Sequence, residues 1–177
     1  MENSLAAIPT NGSIIRTASW RDLNEVRQLE SVCFPKDAWP LWDMVGVLTL
    51  PSVVRLKAIL DEQLVGFVAA DIRRGESVAW IATIGVLPEY RRRGIGKALL
   101  EDCEKRLDTS ILRLCVRRTN DAAIALYERM GYYQVNTWLG YYQDREDALV
   151  LERKLQPRQP KLRANLWRLW DGHGDQG

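Results

Sequence analysis

One segment of the sequence constrains the fold more than any other, because a strand, a basic glycine loop and a helix follow one another in it. Residues 77–86 are uncharged and rich in β-branched side chains, which predicts a strand buried on both faces of a sheet. Beyond the loop, apolar residues recur at every fourth position and predict an amphipathic helix over 94–107. These apolar residues are Ile95, Leu99, Cys103 and Leu107. The loop therefore joins the end of a strand to the beginning of a helix.

The loop and the first turn of this helix form a basic site that suits a phosphate group. The basic residues there, with no acidic residue among them, are Arg91, Arg92, Arg93 and Lys97. A helix N-terminus adds unpaired N–H groups and a partial positive charge. Gly94 and Gly96 lack a Cβ atom, so the backbone can approach a pyrophosphate closely. The spacing differs from the Walker lysine loop and from the GxGxxG dinucleotide motif. Taken alone, the segment also fits a solvated basic start of a helix.

The remaining pattern predicts one α+β domain, with a mixed sheet and helices on both faces, in the order β-α-α-β-β-β-α-β-α-β-β. Predicted strands cover 13–16, 53–60, 64–72, 77–86, 111–116, 132–138 and 148–155. Four helices are predicted. The first follows a capping box at Ser19 and Asp22, the second begins near Trp39, and the other two cover 94–107 and 121–130. The 177 residues suffice for one ordinary core. Residues 1–12 are expected to form a disordered arm, and residues 13–155 are expected to form the domain. Residues 156–177 are expected to form an extension that is broken by prolines and contains Trp and Arg.

The composition excludes several classes of protein. The three cysteines are widely spaced and match no CxxC pattern, which argues against a disulfide framework or a zinc site and favours a reducing compartment. The single histidine lies near the end of the sequence, so a Ser-His-Asp triad or a His-ligated metal is not expected. A formal net charge of +2 gives no argument for nucleic acid. With no signal peptide and no apolar run approaching about 20 residues, we expect a cytoplasmic protein without a metal and without a membrane span.

A second motif follows the fifth predicted strand. Asn120 is a good N-cap for a helix over 121–130, and Gly131 suits the position after its last turn. Tyr127 lies one helical turn from Ala123 and therefore faces the core side of that helix. Ordinary packing by itself also explains a tyrosine in this position.

Together, the basic glycine loop and the second motif resemble the GNAT superfamily of acetyl-coenzyme A-dependent N-acetyltransferases, over residues 13–155. The resemblance implies a GNAT-type fold, which has a mixed, mostly antiparallel sheet with helices on both faces. Within the superfamily, the chain is similar to α-amino acetyltransferases that act on protein N-termini. These include the bacterial ribosomal-protein alanine enzyme and its eukaryotic and archaeal relatives. The segments that carry this closer similarity are 33–35, 120–127 and 141–148.

The resemblance implies roles for individual residues. The end of the strand should hold the pantetheine arm of acetyl-CoA as an added strand, and the N–H groups of the loop should hold its pyrophosphate. The Asn120 side chain should contact the arm, and Tyr127 should hydrogen-bond the thioester sulfur and protonate the leaving thiolate. The implied cofactor contacts are Ile84, Gly85, Val86, Arg91, Arg92, Arg93, Gly94, Ile95, Gly96, Lys97, Ala98, Asn120, Ala123 and Tyr127. The implied substrate contacts are Phe34, Pro35, Tyr141 and Tyr142.

The resemblance does not assign the general base. Several relatives carry Glu or His at the position of Cys115 and some carry Tyr at that of Trp80, but neither Cys115 nor Trp80 is a competent base. A free α-amine has a pKa of about 7.7–8.0, so a large fraction is neutral near neutral pH, whereas a lysine is almost fully protonated. An enzyme without a strong base is therefore expected to prefer α-amines. A covalent route through Cys115 is the alternative, although strand thiols without a basic partner usually belong to the core.

The expected partner is a protein or peptide N-terminus, with ribosomal proteins among the candidates, and the chain itself is expected to be a monomer or a homodimer. Three alternatives stay open from the sequence. A small-molecule enzyme would acetylate a polyamine, an amino acid or an aminoglycoside. A catalytically silent protein would only sense acetyl-CoA, and a nucleic-acid-binding module would be retained on heparin. The extension over 156–177 could pack on the domain, bind a partner or lie on a membrane surface.

Overall fold

The computed structural model of the chain describes residues 12–37, 39–72 and 77–156. Its α-helices are α1 (Leu23–Cys33), α2 (Leu41–Thr49), α3 (Ile95–Arg106) and α4 (Asp121–Arg129). Its strands are β1 (Ile14–Thr17), β2 (Val53–Leu60), β3 (Gln63–Ile72), β4 (Val78–Val86), β5 (Ile111–Arg117), β6 (Tyr133–Trp138) and β7 (Ala148–Lys154). The predicted order of elements is confirmed. The predicted arm and extension lie outside the described residues, apart from Gly12 and Gln156.

The seven strands form one sheet in the order β1-β2-β3-β4-β5-β7-β6. Neighbouring strands are antiparallel, except that β4 and β5 run parallel. Strands β2, β3 and β4 form the expected meander, β1 pairs with β2 from across the connection that contains α1 and α2, and α3 supplies the crossover that a parallel pair needs. The α+β class and the mixed, mostly antiparallel sheet are therefore confirmed.

The parallel pair β4 and β5 opens partway along its length. Three residue pairs join the two strands, and the last of them is Trp80 with Arg113, although β4 continues to Val86. On the other edge of β4, the register with β3 shifts, so Ala82 faces no residue of the described β3. Such a bulge bends a strand and increases its twist. The space between the two strands beyond Trp80 is called the β4–β5 opening below.

Two apolar clusters pack on opposite faces of the sheet. Alternate residues of β3 divide between them, with Val68 and Ala70 in one cluster and Phe67 and Ala69 in the other. Helix α3 packs on the first face, and α1 and α2 pack on the second. The predicted apolar stripe of α3 is buried in the first cluster: Ile95, Leu99, Cys103 and Leu107.

Three expectations about individual elements need correction. The strand over 77–86 alternates between buried and half-buried residues along its whole length, so its two faces are not equally buried. The helix over 94–107 begins one residue later, since Gly94 adopts a left-handed φ of 79° and caps it. The capping box at Ser19 begins a short 3-10 turn, Trp20–Asp22, that leads into α1. None of the described helices is long and apolar enough to cross a membrane.

Candidate active site

The β4–β5 opening exposes one backbone edge of β4. Leu87 donates its N–H to the Val65 carbonyl of β3 at 2.9 Å. Because successive residues of a strand direct their N–H and C=O groups to opposite edges, those of Ile84 and Val86 point toward β5, where the ladder has ended. The Val86 carbonyl already accepts a hydrogen bond from Arg91 Nε at 3.0 Å. The backbone groups of Ile84 and the N–H of Val86 are thus the part of this edge that can pair with an extended ligand between the two strands.

Gly85, between these two residues, has a different environment. The same alternation directs its backbone groups to β3, opposite Phe67. A Cβ atom on Gly85 would lie 3.1 Å from Leu29 of α1, which is closer than nearly all real Cβ contacts. Gly85 therefore allows close packing beneath α1, in addition to its predicted role as a cofactor contact.

The N-terminus of α3 lies directly beyond the end of β4. Gly94 caps it with a φ of 79°, and Arg92 in the preceding loop also has a positive φ, of 62°. The first intrahelical bond runs from the Ala98 N–H to the Gly94 carbonyl at 3.0 Å, so the N–H groups of 95–97 have no acceptor within the helix. The first turn contains no acidic residue. The exposed arginines beside it are Arg91, Arg92 and Arg93. The site suits an anionic pyrophosphate.

Gly96 lies where three elements meet. A Cβ atom placed on it would lie 3.7 Å from Val86 of β4 and 3.7 Å from Leu126 of α4. These are ordinary van der Waals distances, so the packing of the protein does not itself require glycine here. The missing side chain instead leaves the first turn of α3 open to a ligand, which fits the predicted pyrophosphate contact.

Helix α4 begins at the predicted cap. The Asn120 side-chain oxygen accepts the Ala123 N–H at 3.2 Å, so both groups are used within the protein. The amide nitrogen of Asn120 is the donor left for a ligand, and the predicted contact with the cofactor arm is narrowed to it. Gly131 follows the helix with a φ of 85°, as the sequence predicts.

Tyr127 is buried on the inner side of α4, with 6% of its surface exposed. Its ring centroid lies 5.7 Å from that of Tyr132. Burial raises the pKa of the Tyr127 hydroxyl above its ordinary value. The hydroxyl therefore keeps its proton at neutral pH, and it can donate a hydrogen bond to a sulfur atom on which negative charge develops.

Four aromatic side chains form a row beside the opening. Trp80 of β4 stacks on Trp138 of β6 with ring centroids 5.6 Å apart, and Trp138 lies 5.3 Å from Tyr141. Tyr141 and Tyr142 meet edge to face at 5.1 Å. This aromatic row extends the predicted substrate contacts by two tryptophans. Trp138 was not predicted from the sequence as a substrate contact, although it ends the strand that precedes Tyr141.

Arg117, the last residue of β5, binds three carboxylates. Asp37 follows α1, and the two others lie between β6 and β7, where the guanidinium reaches Asp144 at 3.0 Å and Glu146 at 2.5 Å. Although burial opposes its charge, these hydrogen bonds raise the pKa of Arg117. Hydrogen bonds from Arg117 and Lys36 lower the pKa of Asp144 to about 2. Asp144 and Glu146 are therefore charged and paired at neutral pH, and they are not available as bases.

The ion pairs of Arg117 connect two loops of the chain. One is the loop after α1, where Phe34 is half-buried and Pro35 is exposed. The other is the loop between β6 and β7, where the Tyr142 ring centroid lies 4.1 Å from the guanidinium carbon of Arg117. The space between these loops is called the two-loop groove below. Two of the predicted substrate residues belong to each loop: Phe34 and Pro35 to the first, and Tyr141 and Tyr142 to the second.

Cys115 does not supply the missing base. It is half-buried on β5, and burial raises the pKa of its thiol to about 11. A thiol that stays protonated at neutral pH is a poor nucleophile and a poor base, which argues against the covalent route. The structure instead places a carboxylate that the sequence analysis does not identify, Glu30 of α1, against β4.

The chain is similar in sequence to known acetyltransferases. The sequence model of the GNAT acetyltransferase family matches residues 11–132, which include the glycine loop and Tyr127. An N-alpha-acetyltransferase from Saccharolobus solfataricus is 31% identical over 155 residues, which cover 80% of this chain and 92% of that protein.

Two solved structures are similar over nearly their whole length. The ribosomal-protein-S18-alanine N-acetyltransferase from Escherichia coli superposes with a TM-score of 0.74 at 27% identity, covering 85% of this chain and 98% of that one. Arabidopsis thaliana NAA60, solved in complex with acetyl-CoA, superposes with a TM-score of 0.72 at 26% identity, covering 80% and 98%. These likenesses match the fold and the cofactor that the motifs imply.

Proposed function

The chain belongs to the GNAT acetyltransferase family, and from this we propose that it transfers the acetyl group of acetyl-CoA to the N-terminal α-amine of a protein. Membership makes it an enzyme that uses acetyl-CoA as the acetyl donor. The proposal concerns the acceptor amine and the residues that bind the two substrates.

Acetyl-CoA supplies an acetyl group activated as a thioester, while the chain supplies position and proton transfer. Backbone groups of Ile84 and Val86 hold the pantetheine arm along the β4–β5 opening. The Asn120 amide nitrogen contacts the same arm, and Ala123 lines it. The pyrophosphate binds the loop and the first turn of α3, through Arg91, Arg92, Arg93, Gly94, Ile95, Gly96, Lys97 and Ala98.

The observation that carries the choice of acceptor is the two-loop groove. The side chains proposed to line it are Phe34, Pro35, Tyr141 and Tyr142, and the carboxylates of the two loops that bind Arg117 already have partners within the protein. Asp144 binds Arg117 and Lys36, while Glu146 binds Arg117 and Thr119. An extended peptide fits such a groove, whereas a polyamine requires carboxylates that are free to pair with it.

Two relatives support the same acceptor. The Saccharolobus solfataricus protein is named for N-alpha-acetylation, and the Escherichia coli enzyme is named for the alanine of a ribosomal protein. Protein N-termini are therefore the first substrates to test, with ribosomal proteins among them.

The acetyl group moves in one step within a ternary complex. The peptide nitrogen loses a proton and forms the new C–N bond, while the C–S bond of the thioester breaks. Tyr127 donates its hydrogen bond to the sulfur and supplies the proton that the departing thiolate takes, and it regains a proton from solvent afterwards. Phe34, Pro35, Tyr141 and Tyr142 hold the first residues of the peptide so that the nitrogen meets the carbonyl carbon.

The test combines thiol release with the mass of the product. Acetyl-CoA is offered with peptides beginning Ala, Ser, Met-Leu and Met-Glu, with the same peptides carrying a blocked N-terminus and an internal lysine, and with spermidine. We expect one acetyl group to be added to the free N-termini alone. Turnover confined to lysine or spermidine would overturn the choice of acceptor, and cofactor binding without any product would identify a silent acetyl-CoA sensor.

A further inference from the structure

One buried carboxylate has no part in the mechanism so far. Glu30 of α1 is 2% exposed. Its Oε1 accepts a hydrogen bond from the Thr83 hydroxyl at 2.5 Å, whereas its Oε2 is buried and has no hydrogen-bond partner among the described residues. Few buried polar atoms in folded proteins lack a partner, and those that do are often found at functional sites.

The pair lies between the two proposed binding sites. Thr83 belongs to the part of β4 that has left β5, and it precedes Ile84, whose backbone faces the opening. Glu30 lies one helical turn before Phe34 of the two-loop groove, and the Phe34 N–H donates to the Glu30 carbonyl at 2.8 Å. The side chains of Glu30 and Thr83 therefore connect the strand proposed to hold the cofactor with the helix that leads to the groove.

The surroundings of Glu30 are mostly apolar. Burial raises its pKa, and the Thr83 hydrogen bond opposes this. The packed cluster beneath α1 consists of hydrophobic residues from α2, β3 and the neighbouring loops. The titratable groups near α1 have other partners or are exposed: Cys33 and Arg91 bind the Val86 carbonyl, Asp22 pairs with Lys57, and Glu89 is exposed. A carboxyl group in such a place has a pKa nearer to neutral pH than that of an exposed carboxyl group, which suits a general base.

We propose that Glu30 accepts the proton of the substrate amine through the hydroxyl of Thr83, an inference that rests on the proposed function. The amine nitrogen passes its proton to the Thr83 oxygen as the hydroxyl proton of Thr83 passes to Glu30 Oε1. The nitrogen lone pair then forms the C–N bond. Glu30 is left neutral and returns its proton to solvent after the product leaves. A glutamine would hold Thr83 equally well but would accept no proton, so the charge of Glu30 is the informative feature.

The test measures kcat against pH for the wild type, Glu30→Gln and Thr83→Val, with saturating acetyl-CoA and a peptide that has a free N-terminus. We expect each variant to lower kcat at neutral pH by about 100-fold or more. The loss should shrink as the pH passes about 8, because the bound α-amine is then neutral without help. The kcat of the double variant should be no lower than that of the more impaired single variant, since the two residues act as one unit.

Asp102→Asn is the matched control. Asp102 is also a buried carboxylate, but it pairs with Arg106 on α3. We expect this variant to change the stability without changing the pH dependence of kcat. If Glu30→Gln leaves kcat unchanged, or lowers it by the same factor at every pH, the proposal is overturned and the pair is an anchor of α1.

Failure of the proposed function would be seen separately. The wild type would then acetylate no free N-terminus, and the pH series would use whichever amine it does acetylate. If the variants then lose kcat on that amine in a pH-dependent way, the role of Glu30 is supported, although the proposed acceptor is wrong. If the wild type acetylates no amine, both proposals are overturned.

Discussion

At the scale of single residues, two buried tyrosines differ in what their hydroxyls do. Tyr132 donates to Glu104 at 2.8 Å, whereas no described residue hydrogen-bonds the Tyr127 hydroxyl. We expect Tyr127→Phe to lower kcat by about 10-fold to 1000-fold and to leave acetyl-CoA affinity nearly unchanged, because the proton donor is lost while the ring remains. Thiol release on a free N-terminal peptide measures the first quantity, and a binding titration measures the second.

Tyr132→Phe is the control for that experiment. It removes the hydrogen bond to Glu104, so a lower Tm with a normal kcat is expected. If Tyr127→Phe also kept a normal kcat, Tyr127 would be a packing residue and the leaving thiolate would take its proton from elsewhere.

The residues that the sequence identifies are those whose roles depend on near neighbours. Asn120 caps the helix that starts beside it, and Gly94 caps α3. Glu30 and Arg117 were not identified, because their partners are distant in sequence: Thr83 is 53 residues from Glu30, and Asp37 is 80 residues from Arg117. No local pattern encodes which distant hydroxyl or carboxylate a side chain will meet.

At the scale of elements, the N-terminus of α3 can be tested against the C-terminus of α4, because both carry a glycine with positive φ. The values are 79° at Gly94 and 85° at Gly131. We expect Gly94→Ala and Gly131→Ala each to lower the free energy of unfolding by about 1–2 kcal/mol, since a side chain strains the left-handed conformation. Only Gly94→Ala should also raise the KM for acetyl-CoA, by about 10-fold, the equivalent of one lost hydrogen bond to the pyrophosphate. Equal effects of the two variants on that KM would contradict the proposed pyrophosphate site.

The two loops of the groove provide the second test at this scale. Arg117→Gln removes the cation that the carboxylates of both loops share and leaves between the loops the exposed Lys36–Asp144 pair, which contributes little. We expect the KM for the peptide to rise by about 5-fold or more while the KM for acetyl-CoA stays constant, because the loops separate and β4 is untouched. Arg118→Gln is the matched control, since Arg118 is exposed and has one ion pair, with Asp147 at 3.5 Å. A parallel rise in both KM values would show that Arg117 supports the whole fold.

The bounds of most elements could be predicted to within one or two residues, because hydrophobic periodicity and turn residues are local signals. The β4–β5 opening could not. The opening depends on the register between the strands and on Ala82, which has no pairing residue in the described part of β3. Neither feature can be inferred from the composition of β4. The prediction of a strand buried on both faces was wrong, because an uncharged run of residues does not encode how fully each face of the strand is covered.

For the molecule as a whole, Glu30 makes stability depend on pH. Its pKa is raised in the folded state, so its contribution to stability is fully present below the unfolded value of 4.5 and is lost as the pH rises through the folded value. Glu30→Gln removes this loss. We expect the variant to be more stable than the wild type at pH 8 by about 1 kcal/mol, or roughly 2–4 °C in Tm, and the difference to vanish near pH 4. Denaturant unfolding at both pH values measures it, and a difference of the same size at both would show that the charge of Glu30 costs the fold nothing.

The overall architecture could be predicted from the sequence, whereas the arrangement of the site could be predicted only in part. The order of helices and strands, the meander and the helices on both faces follow from local patterns together with the family resemblance, and the sheet confirms them. The aromatic row, the Arg117 ion pairs and the buried Glu30 form only when the sheet brings distant loops together.

The short ladder between β4 and β5 has a mechanical consequence. Three residue pairs join a four-stranded part of the sheet to a three-stranded part, so few backbone hydrogen bonds cross that boundary and the apolar cluster around α3 supplies the rest of the contact. An extended ligand that pairs with the edge of β4 adds hydrogen bonds at that boundary, and it stabilises the folded chain in proportion to its occupancy. If acetyl-CoA pairs there as proposed, we expect the force that separates the two parts of the sheet to rise with its concentration until the site is full.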